Sequence, residues 1–328
     1  MRLKVWGARG SIPSPGPETN RYGGNTSCLQ VTLSDGSTLV LDAGTGIRNL
    51  GLMLAGSEPR LHILLTHLHM DHIQGLMFFA PCFRPKSEIV IWGPASPEAS
   101  LEDRIARYIS APLSPVEVRG LPCDVSFREA PASEWEIGPA RIQAASVSHR
   151  GPTLGYRITD GDQSLAYIPD HEPALGADLS QLEPEWISGY ELALGASLLV
   201  HDCQYADDEY LEHVGWGHSG LSDALTFARR VEARRTLLFH HDPLHSDDRL
   251  DALCGAAAQR WESLGGDPSC LEMAPSVARS TSLGRPPRPP RAANPRGRRA
   301  RRRSGCPACR PGDGRPPSSR TCTSRAAG

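Results

Sequence analysis

Short runs in which apolar and polar residues alternate occupy 3–6, 28–33 and 38–41, the two-residue period of strands. The last two runs are joined by Ser34-Asp35-Gly36-Ser37, a turn composition, so the fold is predicted to open with an antiparallel pair. Ile47, Leu50, Gly51 and Leu54 then share one face of a helix, and the apolar run 61–66 follows as a strand. Further strands are predicted at 88–92, 124–128, 140–147, 153–159 and 164–168, with a helix over 101–109. The last third alternates strand 197–201, helix 221–231, strand 236–239 and helix 247–264. Leu221, Ala224, Leu225 and Ala228 form the apolar stripe of the first helix, and Leu250, Leu253, Ala257, Trp261 and Leu264 that of the second. Two sheets with helices outside accommodate this order.

The pattern stops near Pro275. From there the chain is arginine, proline, glycine and serine with few large apolar residues, too little to offset the entropy of ordering. The reading is therefore a folded domain over 1–274 and a disordered tail over 275–328. The net charge of -2 conceals the same division. Between Arg279 and Gly328 stand 14 of the 35 basic residues and a single acid, Asp313, which leaves an acidic body and argues against a general nucleic-acid binder. Cys306-Pro-Ala-Cys309 in the tail has no second pair, so a zinc knuckle is not expected there. The nine cysteines are odd in number and six are scattered through the body, which suits reduced thiols. With no apolar run of about 18 residues and no signal-like start, a cytoplasmic protein away from the membrane is expected.

Candidate chemistry follows directly after the strand 61–66. Thr66-His67-Leu68-His69-Met70-Asp71-His72 places three imidazoles and a carboxylate within six residues at a strand end, where loops present functional groups. Neutral imidazole and carboxylate suit divalent metals, zinc first, with manganese and iron accepting the same donors. Four such side chains on one turn can serve two adjacent ions.

The H-x-H-x-D-H spacing resembles the signature of the metallo-β-lactamase superfamily. That resemblance implies an α/β (α+β) fold, a four-layer αββα sandwich of two mixed sheets flanked by helices with metals at one edge. It also implies a later His, Asp and His at strand ends, supplied here by His149, Asp170 and His240. By resemblance, His67, His69 and His149 hold one metal, Asp71, His72 and His240 the other, and Asp170 bridges them. His241 adjoins His240, and strand-end register leaves the choice between the two open. Asp42, at the end of 38–41, is either an outer partner that orients metal-binding histidines or a helix N-cap. His62 points away from the cluster by strand alternation. His171, beside Asp170, is read as an outer-shell or substrate-facing group.

The branch is narrowed in the same way. True β-lactamases usually carry Cys where Asp170 stands, and flavodiiron proteins replace the residue matching His69 by Glu. His201-Asp202-Cys203 with Gly217-His218-Ser219-Gly220 is similar to the H-E-A and G-H-S-T segments of ribonuclease Z and its relatives, with Asp202 departing from the family's Glu. The openings Gly7-Ala8-Arg9-Gly10-Ser11 and Gly23-Gly24-Asn25-Thr26 are similar to the glycine-rich start of that group and of the cyclic phosphodiesterases, and the loop is either an ordinary tight turn or a lining of the metal pocket. The implied chemistry is attack on a phosphodiester by a hydroxide shared between two metals. Asp71 ligates and takes the nucleophile's proton, His218 is the general acid oriented by Asp202, and the helix start near Ser219 attracts a phosphate. Ribonuclease Z reaches transfer RNA with an arm inserted between the positions matching His149 and Asp170. Here that interval is filled by two strands and a turn, so a small or cyclic phosphodiester is the expected partner and nucleic acid is not. Two other readings keep the same ligands: a thioester or lactone hydrolase, and a metal-holding module that binds without turnover. Homodimers are common in this group, and the residues leave that state open.

Overall fold

In a computed structural model, residues 1–57, 59–275 and 280–283 are described, and they fall within one compact unit, Met1–Pro287. The first sheet receives β1 (Arg2–Gly7), β2 (Cys28–Thr32), β3 (Thr38–Leu41), β4 (Arg60–Leu64), β5 (Glu88–Gly93) and β6 (Asp124–Glu129). The second receives β7 (Trp135–Ile137), β8 (Ala140–Ser146), β9 (Leu154–Asp160), β10 (Gln163–Ile168), β11 (Leu198–Asp202), β12 (Thr236–Phe239) and β13 (Leu271–Met273). A last strand, β14 (Ser280–Ser282), returns to pair antiparallel with β1.

Both sheets are mixed in the same way. β14, β1, β2 and β3 are antiparallel and β3 to β6 parallel, while β7 to β10 are antiparallel and β10 to β13 parallel. The alternation read from the sequence explains the layering. Leu39, Leu41, Leu165, Tyr167, Leu198, Val200, Leu237 and Phe239 fill the space between the sheets. Their neighbours face outward: Val40, Leu61 and Ile63 meet α1 (Ile47–Met53) and, beyond the short α2 (Met70–Ile73), α3 (Leu101–Tyr108). Ala166, Ile168, Leu199 and Leu238 meet the helices of the second sheet. These are α4 (Tyr190–Ala193), α6 (Leu221–Arg230) and α7 (Asp247–Ser263), with the short α5 (Asp207–Tyr210) between α4 and α6. Each large apolar side chain so buried stabilises by about 1.5–3 kcal/mol, and a one-residue slip would turn it to the wrong layer. The register of strand ends is thereby fixed.

One expectation is corrected. The boundary at 274 is too early, because Ser280–Ser282 continues the first sheet and Leu283 is buried between the sheets. Three residues are too few to show a period, and the arginine-rich composition around them hid the strand. The rest of the tail, Cys306 and Cys309 included, lies outside the described residues. The six body cysteines are free, as expected, and no helix among the described residues is long and apolar enough to cross a membrane.

Candidate metal centre

The ligand-bearing residues follow strand ends on one edge of the sandwich. Asp42 follows β3, the histidine cluster follows β4, His149 follows β8, Asp170 follows β10, and His240 follows β12, while Asp202 closes β11. Donor atoms of His67, His69 and His149 lie within 4.8 Å of one another, as do those of Asp71, His72, Asp170 and His240. Asp170 reaches both groups. Its Oδ2 is 3.7 Å from His67 Nε2, 3.8 Å from His149 Nε2 and 3.3 Å from His240 Nε2, and its Oδ1 is 3.1 Å from His72 Nε2. His69 Nδ1 is 3.3 Å from His149 Nε2.

The outward nitrogen of four of the five rings, all but His69, has a fixed partner. His72 Nδ1 lies 2.8 Å from Asp42 Oδ2, His149 Nδ1 2.7 Å from the Gly217 carbonyl, and His240 Nδ1 3.0 Å from Gln204 Oε1. His67 Nδ1 lies 3.1 Å from Thr66 Oγ1, whose hydroxyl also meets Asp42. Acceptors on that side make Nδ1 the proton-bearing nitrogen of these four rings and aim Nε2 inward. The centre therefore gathers imidazole nitrogens and two carboxylates, the donor types of a divalent-metal site. His67 Nε2 is buried without a hydrogen-bond partner, a costly arrangement unless a cation completes it. The donor set fits two divalent ions.

The charges say the same. Burial pushes His67, His69 and His149 below the usual imidazole value. Burial also pulls on His72, but Asp170, Asp71 and Asp42 outweigh it and hold that ring well above the usual range. The same balance, burial against Asp170 and Asp71, leaves His240 at about 9. Protons here occupy the place of metal charge, and metal binding releases them.

Asp42 is fully buried and accepts from the Thr66 amide at 2.8 Å and the Tyr167 hydroxyl at 2.8 Å besides His72. It orients ligands and caps no helix, since α1 starts from Gly46 without a side-chain cap. The N-terminal loop also reaches the centre, where the Ser11 amide donates to Asp71 Oδ2 at 2.7 Å. A Cβ on Gly10 would stand 2.5 Å from His240 Nδ1. Gly10→Ala is accordingly expected to displace the His240 ring and weaken metal binding by about ten-fold, the scale of an outer-shell change, measured by competition with a chelator.

His240, not His241, joins the centre; His241 is buried elsewhere, with Nε2 2.8 Å from the Ala274 carbonyl. His171 does not face substrate. Its ring is fully buried against His201, 2.9 Å between nitrogens, and Phe227, and only its backbone amide serves the site by donating to Asp202. At the start of α6 two amides already have carboxylate acceptors within the chain. The Ser219 amide donates to Asp202 and the Ser222 amide to Asp207. Asp202 instead orients His218, whose Nδ1 lies 2.7 Å from Asp202 Oδ2. His62 accepts from Trp92 Nε1 at 3.1 Å, away from the cluster. Sequence reasoning missed Gln204, Thr66, Tyr167 and the Gly217 carbonyl, all neutral groups brought in by tertiary contact.

Residues 37–241 match the family described as Beta-lactamase superfamily domain, more than half of the chain. The chain belongs to the metallo-β-lactamase superfamily. It is a metal-dependent hydrolase of that superfamily, with the two mixed sheets of its fold. Ribonuclease Z of Natronomonas pharaonis is 24% identical over 289 residues, covering 76% of this chain and 89% of that protein. The metallo-beta-lactamase fold protein YhfI of Bacillus subtilis superposes with a TM-score of 0.60 at 18% identity, over 85% of this chain and 98% of that one. A diphosphatase of the PhnP family does so with 0.58 at 17%, over 86% and 97%.

Proposed function

We propose that this superfamily member hydrolyses a small or cyclic phosphodiester, with zinc the first candidate metal and manganese or iron able to use the same donors. The observation that carries the reading is His218. Its ring stacks on His240 at 4.9 Å and 13°, lies edge-on to His149 at 4.9 Å, and has a nitrogen within 4.8 Å of donor atoms of Asp170 and His149. With Nδ1 tied to Asp202, Nε2 is the edge left for substrate. An alkoxide leaving group needs a proton at that place, whereas a thiolate leaves readily without one.

His67, His69, Asp71, His72, His149, Asp170 and His240 would hold two divalent ions, which would supply Lewis acidity and acidify a water toward neutral pH. Asp71, its Oδ2 fixed by the Ser11 amide, accepts the proton of the attacking water. His218 delivers one to the leaving oxygen, and Asp202 holds the resulting imidazolium in place. A pocket of about 330 Å³ opens from His67 and His69, lined also by Ser96, Glu98, Arg104, Arg150 and Pro152, a volume suited to a small molecule. Between His149 and Asp170 the chain makes only the β9–β10 hairpin, so no arm for a folded RNA stands there. RNA is the second reading, favoured by the similarity to ribonuclease Z over 76% of the chain.

The test is a panel of bis(p-nitrophenyl) phosphate, 2′,3′- and 3′,5′-cyclic nucleotides and a precursor transfer RNA, with metal content assayed. The expected outcome is turnover of the small diesters that His67→Ala abolishes, with the RNA intact. Cleavage of the RNA alone would move the reading to nucleic acid. Bound metals without any turnover would favour a thioester or lactone substrate, or a binding module.

A further inference from the structure

Glu172 lies two residues beyond Asp170 and is 1% exposed. Its carboxylate accepts from the Tyr210 hydroxyl at 2.9 Å, from the Gly215 amide at 2.8 and 3.0 Å, and from the Gly217 amide at 2.8 Å. Gly215 and Gly217 have φ of +84° and +91°, the left-handed conformation that lets amides of one short segment curl around a single anion. The carbonyls of the same two residues point the other way. Gly217 accepts from His149 Nδ1 at 2.7 Å, and Gly215 accepts from Arg150 Nε and one terminal nitrogen, each at 3.3 Å. The fit leaves no slack, since a Cβ on Gly217 would stand 2.5 Å from His149 Nδ1. The segment thus grips Glu172 with one face and sets the ring of His149 with the other.

We propose that Glu172 is a positioning residue for one half of the metal centre. It acts through Gly217 on His149 and hence on the His67, His69 and His149 group. The other half has its own braces: Asp42 holds His72 and Gln204 holds His240. The inference rests on the reading that the two groups hold metals, and it adds that His149 has a brace of its own, separate from the Asp42–Thr66 pair that supports His72 and His67.

The full chain, loaded with zinc, is mixed with excess chromogenic chelator and zinc release is followed in time. Wild-type protein is expected to release two ions in two phases, and His149→Ala identifies the phase that belongs to its own group. Glu172→Gln puts an amide nitrogen against backbone donors and is expected to speed that phase by about ten-fold, the scale for an outer-shell partner, with the other phase unchanged. Tyr210→Phe removes one bond to Glu172 while keeping the ring, and is expected to speed the same phase by a smaller factor. If Glu172→Gln does not fold, Tyr210→Phe decides the matter. Phases left unchanged, or both accelerated alike, overturn the inference while the metal reading stands. A wild-type chain that takes up no zinc overturns both.

Discussion

Asp170→Ala is expected to bring bound metal from two ions per chain to one or none and to lower turnover of any substrate by at least about 10³-fold, beyond the 10- to 100-fold typical of losing an outer-shell partner. Asp170 alone has oxygens within 4 Å of His67, His72, His149 and His240, so its removal deletes the one negative charge common to both groups. What remains is a set of imidazoles facing one another, with Asp71 on one side only. Elemental analysis of the purified variant, beside the wild type and with circular dichroism to confirm folding, measures the effect. A folded variant that retains two ions would show that Asp170 does not bridge. Asp170 is also fully buried and held well below the usual carboxylate range, with His240, His72 and His67 overcoming the opposing effect of burial, so without metal it remains an anion.

That centre was legible because its chemistry is dense and because apolar strands announce where their ends fall. His67, His69, Asp71 and His72 follow one strand directly, and the later ligands each follow another. What was not legible depended on backbone turns and on tertiary partners. His240 takes φ +60° immediately after β12, which aims its ring at the centre and sends His241 toward Ala274. No alternation rule resolves that choice, because the strand has already ended. Asp42 sits in the same unusual conformation, φ +57°, and its grip on Thr66, His72 and Tyr167 requires both sheets to be in place. His171 was drawn toward the site by its neighbour Asp170, yet successive extended residues point to opposite faces, and its ring went into the helix-side core. The short strands β7, β13 and β14 have three residues each, fewer than any period can reveal. Uncharged contacts such as Gln204 on His240 leave no mark in a sequence read alone.

His218→Ala is expected to lower turnover by 10²- to 10⁴-fold, the range for a lost general acid, while both metals stay bound. His218 is in neither ligand group as assigned, and its ring contributes stacking to His240 and an edge to His149. Deleting it leaves the bonds of Asp42, Gln204 and Gly217 to the ligands in place. The size of the effect is expected to depend on the leaving group. p-Nitrophenolate is stable as an anion and departs with little help, so bis(p-nitrophenyl) phosphate should suffer the smaller loss. A cyclic nucleotide must release a sugar alkoxide, for which proton delivery matters most, and should suffer the larger one. Asp202→Asn should follow the same ordering with a smaller amplitude, because an amide holds the ring but no longer stabilises the imidazolium. It also meets the amides of His171, Gln204 and Ser219, so folding is checked alongside. Rate constants for the two substrates across wild type and both variants, with zinc per chain assayed on the same samples, distinguish this role from a structural one. A loss equal for both leaving groups, or a loss that tracks departing metal, would remove His218 from proton transfer and make it a support for its neighbouring ligands.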